Sequence, residues 1–363
     1  MRQCVVLGAG LIGRLVAVRL AQTGYRVSVF EAGGPDARSS AAYVAAAMLA
    51  PLAESAMTEP SVVAMGQYSL SRWPELLAGL GQPVFFQRQG TLVVWHRQDA
   101  AEAPLFAGHL EHVRASVPGL PRPLAVDARQ IADLEPALAG RFQRGLLLPD
   151  EGQLDNRQLL AALLAELVTL GVELHWHAAR SIEDSATGQL RGVDWLIDCR
   201  GLGAKRDWTG LRGVRGEVVR LHAPEVELNR PLRLLHPRYP LYIAPKPDHM
   251  FVIGASEIEA EDTSPVSVRS ALELLSAAYT VHSGFAEARI LEFAAQCRPA
   301  LPDNLPAIRL PQERVLQING LYRHGYLIAP ALLDAAMEIL ETGESRLGAT
   351  MGLSLQLEAA CAC

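Results

Sequence analysis

Three glycines, Gly8, Gly10 and Gly13, follow the apolar run Cys4-Val5-Val6-Leu7 and open a segment that reads as helix from Leu11 to Gly24. A second apolar run, Arg26-Val27-Ser28-Val29-Phe30, ends in Glu31. Strand, glycine loop, helix, strand and acid in that order are the fingerprint of a dinucleotide-binding βαβ unit. Gly8 permits the tight turn, and Gly10 lets backbone N–H groups approach a pyrophosphate. Gly13 allows the helix to pack on the strand with its positive end toward the phosphates. Glu31 is placed to hold an adenosine ribose, and its charge disfavours the 2′-phosphate of NADP. The loop alone leaves the choice between FAD and NAD open.

At 363 residues the chain is long for one core and suits two domains. Half the residues are hydrophobic and a fifth charged, a globular composition without a disorder signature. The net charge of −6 argues against a nucleic-acid partner. The five cysteines, Cys4, Cys199, Cys297, Cys361 and Cys363, form no C-x-x-C and no closed disulfide framework, so reduced thiols are expected. The first strand begins too early to follow a signal peptide, and no apolar run reaches the roughly 18 residues of a membrane span. A cytoplasmic protein with no integral membrane segment is the expectation.

After Glu31 comes a Gly33-Gly34-Pro35-Asp36 turn and a small-residue stretch, Ser39-Ser40 and Ala45-Ala46-Ala47-Met48-Leu49-Ala50-Pro51. The alanines read as helix, or as backbone lying against a flat ring, with Pro51 ending the run. An amphipathic helix is expected over 61–80, a strand over 91–95, and loops with short helices over 98–141. Asp155 or Asn156 can cap a helix reaching Gly171. Strands follow at 172–176 and 194–199. An antiparallel region begins at Gly216, and a hairpin joins 241–245 to 250–254. Helices are expected over 266–281 and 331–341, with a strand at 315–319. Parallel α/β units at both ends with antiparallel strands between them predict interleaved domains and a ligand site where they meet. His175 and His177 alternate on one strand without further ligands, so no metal site is expected. No G-x-S-x-G or Walker loop is present, which leaves any chemistry to a cofactor.

Several segments occur in a fixed order: the N-terminal unit, Ala45 to Pro51, the Tyr242 hairpin ending Gly254-Ala255-Ser256, Cys297-Arg298-Pro299, and Tyr322-Arg323-His324-Gly325-Tyr326-Leu327-Ile328-Ala329-Pro330. In this the chain resembles the D-amino-acid oxidase family of FAD flavoproteins over nearly its whole length, most nearly the glycine oxidases of thiamine biosynthesis. The resemblance implies an α/β fold, α+β overall. A Rossmann-like FAD-binding domain (1–80, 145–210 and 296–350) would be interleaved with a substrate domain on a mixed, largely antiparallel sheet (81–144 and 211–295), followed by a tail, 351–363.

It further implies noncovalent FAD held by Gly8, Gly10, Leu11, Ile12, Gly13, Glu31 and Ala32. Ser39, Ser40, Ala46, Ala47 and Met48 would form a second contact segment. Arg180 would add a backbone contact, and His324, Gly325, Tyr326, Leu327, Ile328, Ala329 and Pro330 would pass the flavin ring, with a helix N-terminus after Pro330. Arg298 is matched to the arginine that grips the substrate carboxylate, a task suited to its forked guanidinium. Tyr242 is matched to a substrate-orienting tyrosine and otherwise reads as a packed strand aromatic. Arg323 is a second residue near the substrate or a buttress of the cofactor loop. Glu257 stands where the family has methionine, and either meets a substrate cation or faces solvent. Cys297 precedes Arg298 on the chain, so its side chain diverges from the site and a covalent flavin link is not expected. The implied reaction is oxidation of glycine, sarcosine or small D-amino acids by O₂ to the keto acid (glyoxylate from glycine), ammonia and H₂O₂, in a homotetramer. A quinone-linked dehydrogenase, a sarcosine oxidase, a structural flavoprotein and an NAD dehydrogenase stay open as alternatives.

Overall fold

The computed structural model describes residues 2–184, 192–236 and 241–356. The first apolar run is strand β1 (Gln3–Leu7), buried on both faces. Its alternating side chains divide between two clusters, as strand geometry requires. Cys4 and Val6 pack into the largest core, while Val5 and Leu7 meet Ile182, Leu196 and Val315 on the other side. Helix α1 (Leu11–Gln22) carries the chain over that core to strand β2 (Arg26–Phe30), parallel to β1 from Gln3↔Arg26 to Leu7↔Phe30. This crossover is the unit read from the glycine spacing.

Five parallel strands run from one edge of a seven-stranded sheet, in the order Val315–Asn319, Trp195–Asp198, β1, β2, Glu173–His175, the last at the edge. Ala307–Gln312 adds antiparallel to Val315–Asn319, and Ser354–Gln356 adds parallel at the edge. Residues 354–356 of the expected tail are thus sheet. Residues 357–363, with Cys361 and Cys363, lie outside the described residues. An eight-stranded sheet takes segments between 91 and 300 and is antiparallel except where Leu232–Leu235 runs parallel to Thr91–Trp95. Its longest pair joins Arg212–His222 to Arg289–Ala300, with Val214 opposite Arg298. Helix Val268–Val281, capped by the Ser267 side chain, buries Leu274, Ala278 and Val281 on this sheet. A mixed α/β architecture with interleaved segments is therefore present. Among the described residues no helix is long and apolar enough to cross a membrane.

Three local readings are corrected. The stretch 98–141 contains a 15-residue helix, Glu102–Ser116, and a strand, Leu124–Asp127, as well as turns. Pro104 stands near the start of that helix, where its missing N–H costs nothing. Pro51 opens helix Pro51–Ser55 for the same reason. The third correction matters most: the helix expected after Pro330 starts at Gly325 and runs to Thr342. Pro330 cannot donate to the carbonyl of Tyr326 four residues earlier. That oxygen accepts the indole N–H of fully buried Trp73 at 3.0 Å instead. The Ser69 hydroxyl accepts the next N–H, of Ala331, at 3.2 Å. A side chain from another helix thus repairs the break that the sequence announces. Trp73→Phe strands a buried acceptor and should lower stability by about 1–3 kcal/mol, measured as a loss of thermal midpoint with the flavin absorbance retained.

Candidate active site

One elongated cavity of about 460 Å³ runs between the two sheets, from Gly8 and Glu31 at one end to Arg298 and Arg323 at the other. At the first end, Gly8 adopts φ +90°, and a Cβ there would lie 2.7 Å from the Cys199 carbonyl. A Cβ on Gly13 would lie 1.9 Å from the Gly8 carbonyl. Gly13 does not line the cavity; it sets how closely α1 approaches the loop. At Gly10 a Cβ would meet only Ser40 at 3.9 Å, so the space before the helix is open. No side chain caps α1. Its first-turn N–H groups therefore face the cavity with the positive end of the helix dipole. Arg14, 1% exposed, ties the loop down by donating to the carbonyls of Ala9, Leu160 and Pro35 at 2.6–2.8 Å. Glu31 accepts the Ala9 N–H at 2.5 Å and the Gly33 N–H at 2.7 Å, which fixes its carboxylate with lone pairs to spare for ribose hydroxyls.

Ser39, Ser40 and Ala41 to Met48 form one long wall, except that the Tyr43 side chain turns away to Arg157, whose guanidinium stacks 3.9 Å from its ring centre. The stretch is neither all helix nor all extended: a short helix, Ala41–Val44, gives way to strand Met48–Leu49. Between them Ala47 sits at φ +54°, a conformation that disfavours any Cβ. Buried polar groups hold this wall from behind. Lys246 donates to the carbonyls of Ala46 (3.0 Å) and Leu154 (2.8 Å) and to Gln153 Oε1 (2.9 Å). Burial pulls its pKa down to about 7. Asn156 donates to the Ala42 and Tyr43 carbonyls, and Arg220 donates to Asn156 Oδ1 at 2.6 Å.

At the far end, Arg298 extends from the strand Arg289–Ala300 toward Gly216, where a Cβ would come within 2.3–2.7 Å of the guanidinium. Glycine is what makes room for it. Its hydrogen bonds go to the carbonyls of Arg215 (3.3 Å) and Ser256 (3.1 Å). Among the described residues no carboxylate lies within ion-pair distance of it. Burial, with Arg323 nearby, pulls its pKa down to about 10, so it remains a cation at neutral pH. Arg323 is the opposite case: Nε pairs with Glu54 Oε2 at 3.0 Å and Nη1 with Glu257 Oε2 at 2.6 Å. Against the opposing effect of burial, those two carboxylates raise its pKa. Glu54 also accepts the Tyr242 hydroxyl at 2.5 Å, and Arg233 donates to the same hydroxyl oxygen at 2.9 Å. The one phenolic proton is thereby committed to Glu54. Burial alone would raise the Glu54 pKa, but Arg323, His324 and Arg233 bring it down to about 2. His324, 3% exposed, is pulled by burial to about 4 and is neutral, with Nδ1 3.6 Å from Glu54.

The cavity brings together Gly8, Gly10, Leu11, Ile12, Glu31, Ala32, Ser39, Ser40, Ala46, Ala47, Met48, Tyr242, Glu257, Arg298, Arg323, His324, Gly325, Tyr326 and Leu327. Glu257 lines this wall and does not belong to a purely solvent-facing run. Ile328, Ala329 and Pro330 are buried inside the helix, away from the cavity. The helix end facing the site is the uncapped one at His324–Gly325, six residues before the expected place. Arg180 does not line the cavity; its guanidinium bonds the Ala179 carbonyl and lies 5.4 Å from the centre of the Phe30 ring. Cys297 Sγ points to the Asp262 carbonyl at 3.4 Å, diverging from its neighbour Arg298. Glu54, Gly216, Gln296 and Tyr322 were missed. The only local signal for Glu54 was an acid within an otherwise apolar run. Among the described residues no group of three or more His, Cys, Asp and Glu side chains could hold a metal.

Two uncapped helix ends, an open glycine loop, an acid at the second strand and an elongated cavity fit a dinucleotide along their whole length, with an anion-accepting pocket beyond it. These are the features of a dinucleotide-binding protein. The chain belongs to the D-amino-acid oxidase family: that family's model, described as FAD dependent oxidoreductase, matches residues 3–335. It is an FAD-dependent oxidoreductase. A putative thiamine biosynthesis oxidoreductase, ThiO, of Rhizobium etli is 41% identical over 349 residues, covering 94% of this chain and 97% of the relative. Glycine oxidase of Pseudomonas putida is 26% identical, covering 94% and 95% of the two chains. Among solved structures, iminodiacetate oxidase from Chelativorans superposes with a TM-score of 0.80 at 22% identity, covering 98% of this chain and 100% of the other, a likeness of fold.

Proposed function

We propose that the protein oxidises the amino group of a small amino acid such as glycine, sarcosine or D-alanine with O₂ and water, yielding the keto acid (glyoxylate from glycine), ammonia (methylamine from sarcosine) and H₂O₂. The observation that carries this reading is Arg298: a cation on the wall of the cavity whose described partners are carbonyls alone. A half-buried guanidinium without a counter-ion is costly, and a substrate carboxylate supplies the missing charge in the bidentate geometry the fork prefers. The name of the Pseudomonas relative supports the amino-acid substrate, and that of the Rhizobium relative supports a place in thiamine biosynthesis, where the imine product would be consumed.

In this reading 1–80, 145–210 and 296–350 hold the cofactor and 81–144 and 211–295 form the substrate side. The α1 N-terminus and Glu31 hold the two ends of the FAD pyrophosphate–ribose unit, without a covalent link to Cys297. Bound FAD supplies the hydride acceptor and returns the electrons to oxygen. Arg298 anchors the carboxylate and so fixes which substrate bond faces the ring. Tyr242, its proton held by Glu54, offers the substrate only an acceptor oxygen, suited to an N–H. His324 is neutral, so the positive charge at this end of the cavity comes from the arginines, and it is such charge that favours the deprotonated amine whose lone pair assists hydride loss. Catalysis is then mainly orientation and electrostatics.

Mixing the yellow holoenzyme anaerobically with glycine, sarcosine and D-alanine should bleach the flavin band near roughly 450 nm, and air should restore it with H₂O₂ formed. Bleaching without oxygen uptake would point to a quinone-linked dehydrogenase. No bleaching by any amino acid would leave FAD a structural group.

A further inference from the structure

The substrate end holds two arginines in opposite electrostatic states. Among the described residues Arg298 has carbonyl partners only, whereas Arg323 is matched twice, by Glu54 on Nε and by Glu257 on Nη1. Glu54 is needed elsewhere in the fold, since it also takes the Tyr242 proton. Glu257 lies nearer solvent than Glu54. It is held by Arg323 and by the Tyr322 hydroxyl, its side chain remains 38% exposed, and it lines the same wall as Arg298. Arg298, Arg323 and Arg233 against Glu54 and Glu257 leave one positive charge, and His324 adds none. A substrate with one carboxylate and a neutral amine places its charge on Arg298 and leaves the rest balanced. A second carboxylate would find Arg323 already overmatched and would lie against the Glu257 charge.

We propose that Glu257 is a specificity-determining residue: by occupying Arg323 it leaves the cavity a single carboxylate anchor and excludes amino acids that carry a second carboxylate. This deepens the amino-acid reading above and rests on it.

Two matched pairs isolate the extra carboxylate: sarcosine against iminodiacetate, and D-alanine against D-aspartate. The wild-type holoenzyme should favour the first member of each pair in kcat/KM. Glu257→Gln keeps the size and an oxygen for Arg323 but removes the charge. It should shrink both ratios by about 10- to 100-fold, as expected for a like charge roughly 5 Å away in a partly screened site. Glu257→Asp keeps the charge and should keep the ratios near wild type. A readout without turnover uses acetate and malonate, followed by perturbation of the flavin spectrum; Glu257→Gln should gain affinity for malonate relative to acetate. Unchanged ratios in Glu257→Gln, or a wild-type enzyme that takes iminodiacetate as readily as sarcosine, would overturn the inference while leaving the amino-acid reading intact. Failure of glycine as well as these four amino acids to reduce wild-type FAD would overturn both.

Discussion

Arg298→Ala should lower kcat/KM for the best amino acid by about 10²–10³-fold, through loss of a charge-paired carboxylate contact of about 3–4 kcal/mol. The visible spectrum and FAD affinity should stay near wild type, because Arg298 stands at the far end of the cavity from Gly8, Gly10 and Glu31. The accompanying stability change discriminates between roles. A structural arginine loses stability along with activity. Arg298 is a half-buried cation whose partners among the described residues are carbonyls alone, so removing it relieves a desolvation penalty. The variant should melt no lower than wild type, and Arg298→Lys should recover part of the activity, with the point charge but without the fork. A variant that melts well below wild type, or one with unchanged kinetics, would refute the assignment.

Glu54→Ala should be the most destabilising of the substitutions considered. Its carboxylate answers Arg323 and the Tyr242 hydroxyl, with Arg233 and His324 adjoining. Truncation leaves Arg323 with Glu257 alone and a buried phenolic proton with no acceptor. Breaking a buried pair in this way costs about 3–5 kcal/mol. Glu54→Gln should cost less, since the amide oxygen still accepts from Tyr242. The pH dependence follows from the depressed pKa, about 2 in the folded protein against 4.5 ordinarily. Between those values the unfolded chain binds the proton and the folded one does not. The Glu54 contribution is therefore fully present above pH 4.5 and is lost as pH falls through about 2. It amounts to about 3 kcal/mol at 1.36 kcal/mol per pH unit. Thermal midpoints of wild type and Glu54→Ala should converge on acidification through that window; parallel curves would contradict the buried pair.

The parts of the fold legible in the sequence are those whose cause is local. The β1–α1–β2 unit was readable because each of its demands falls within thirty residues: apolar runs, a left-handed Gly8, a close approach at Gly13. Asp155 was readable as a cap because its carboxylate serves the N–H groups of Arg157 and Gln158. The start of the Gly325–Thr342 helix was misplaced because Pro330 is a local stop signal, and the group that overrides it, Trp73, lies 253 residues in sequence from the Tyr326 carbonyl it bonds. Within the site, Arg298 and Tyr242 were found through ordered motifs. Glu54 was not, because it sits 188 residues from the hydroxyl it binds and looks locally like one acid among alanines. Lys246 offered a faint signal, as one of two lysines in the chain and the end of an otherwise apolar hairpin strand.

The residue order by itself determined that this chain builds a dinucleotide-binding crossover at its N-terminus and that its later motifs belong with FAD. Backbone dihedrals, caps and side-chain periodicity act between neighbours along the chain, and they are written there. Only the tertiary structure decided which arginine stands without a carboxylate and which is matched twice. Charge pairing and burial are properties of space: Arg298 owes its freedom to Gly216 on the adjoining strand, and Arg323 owes its confinement to Glu54 and Glu257, brought in from two distant segments.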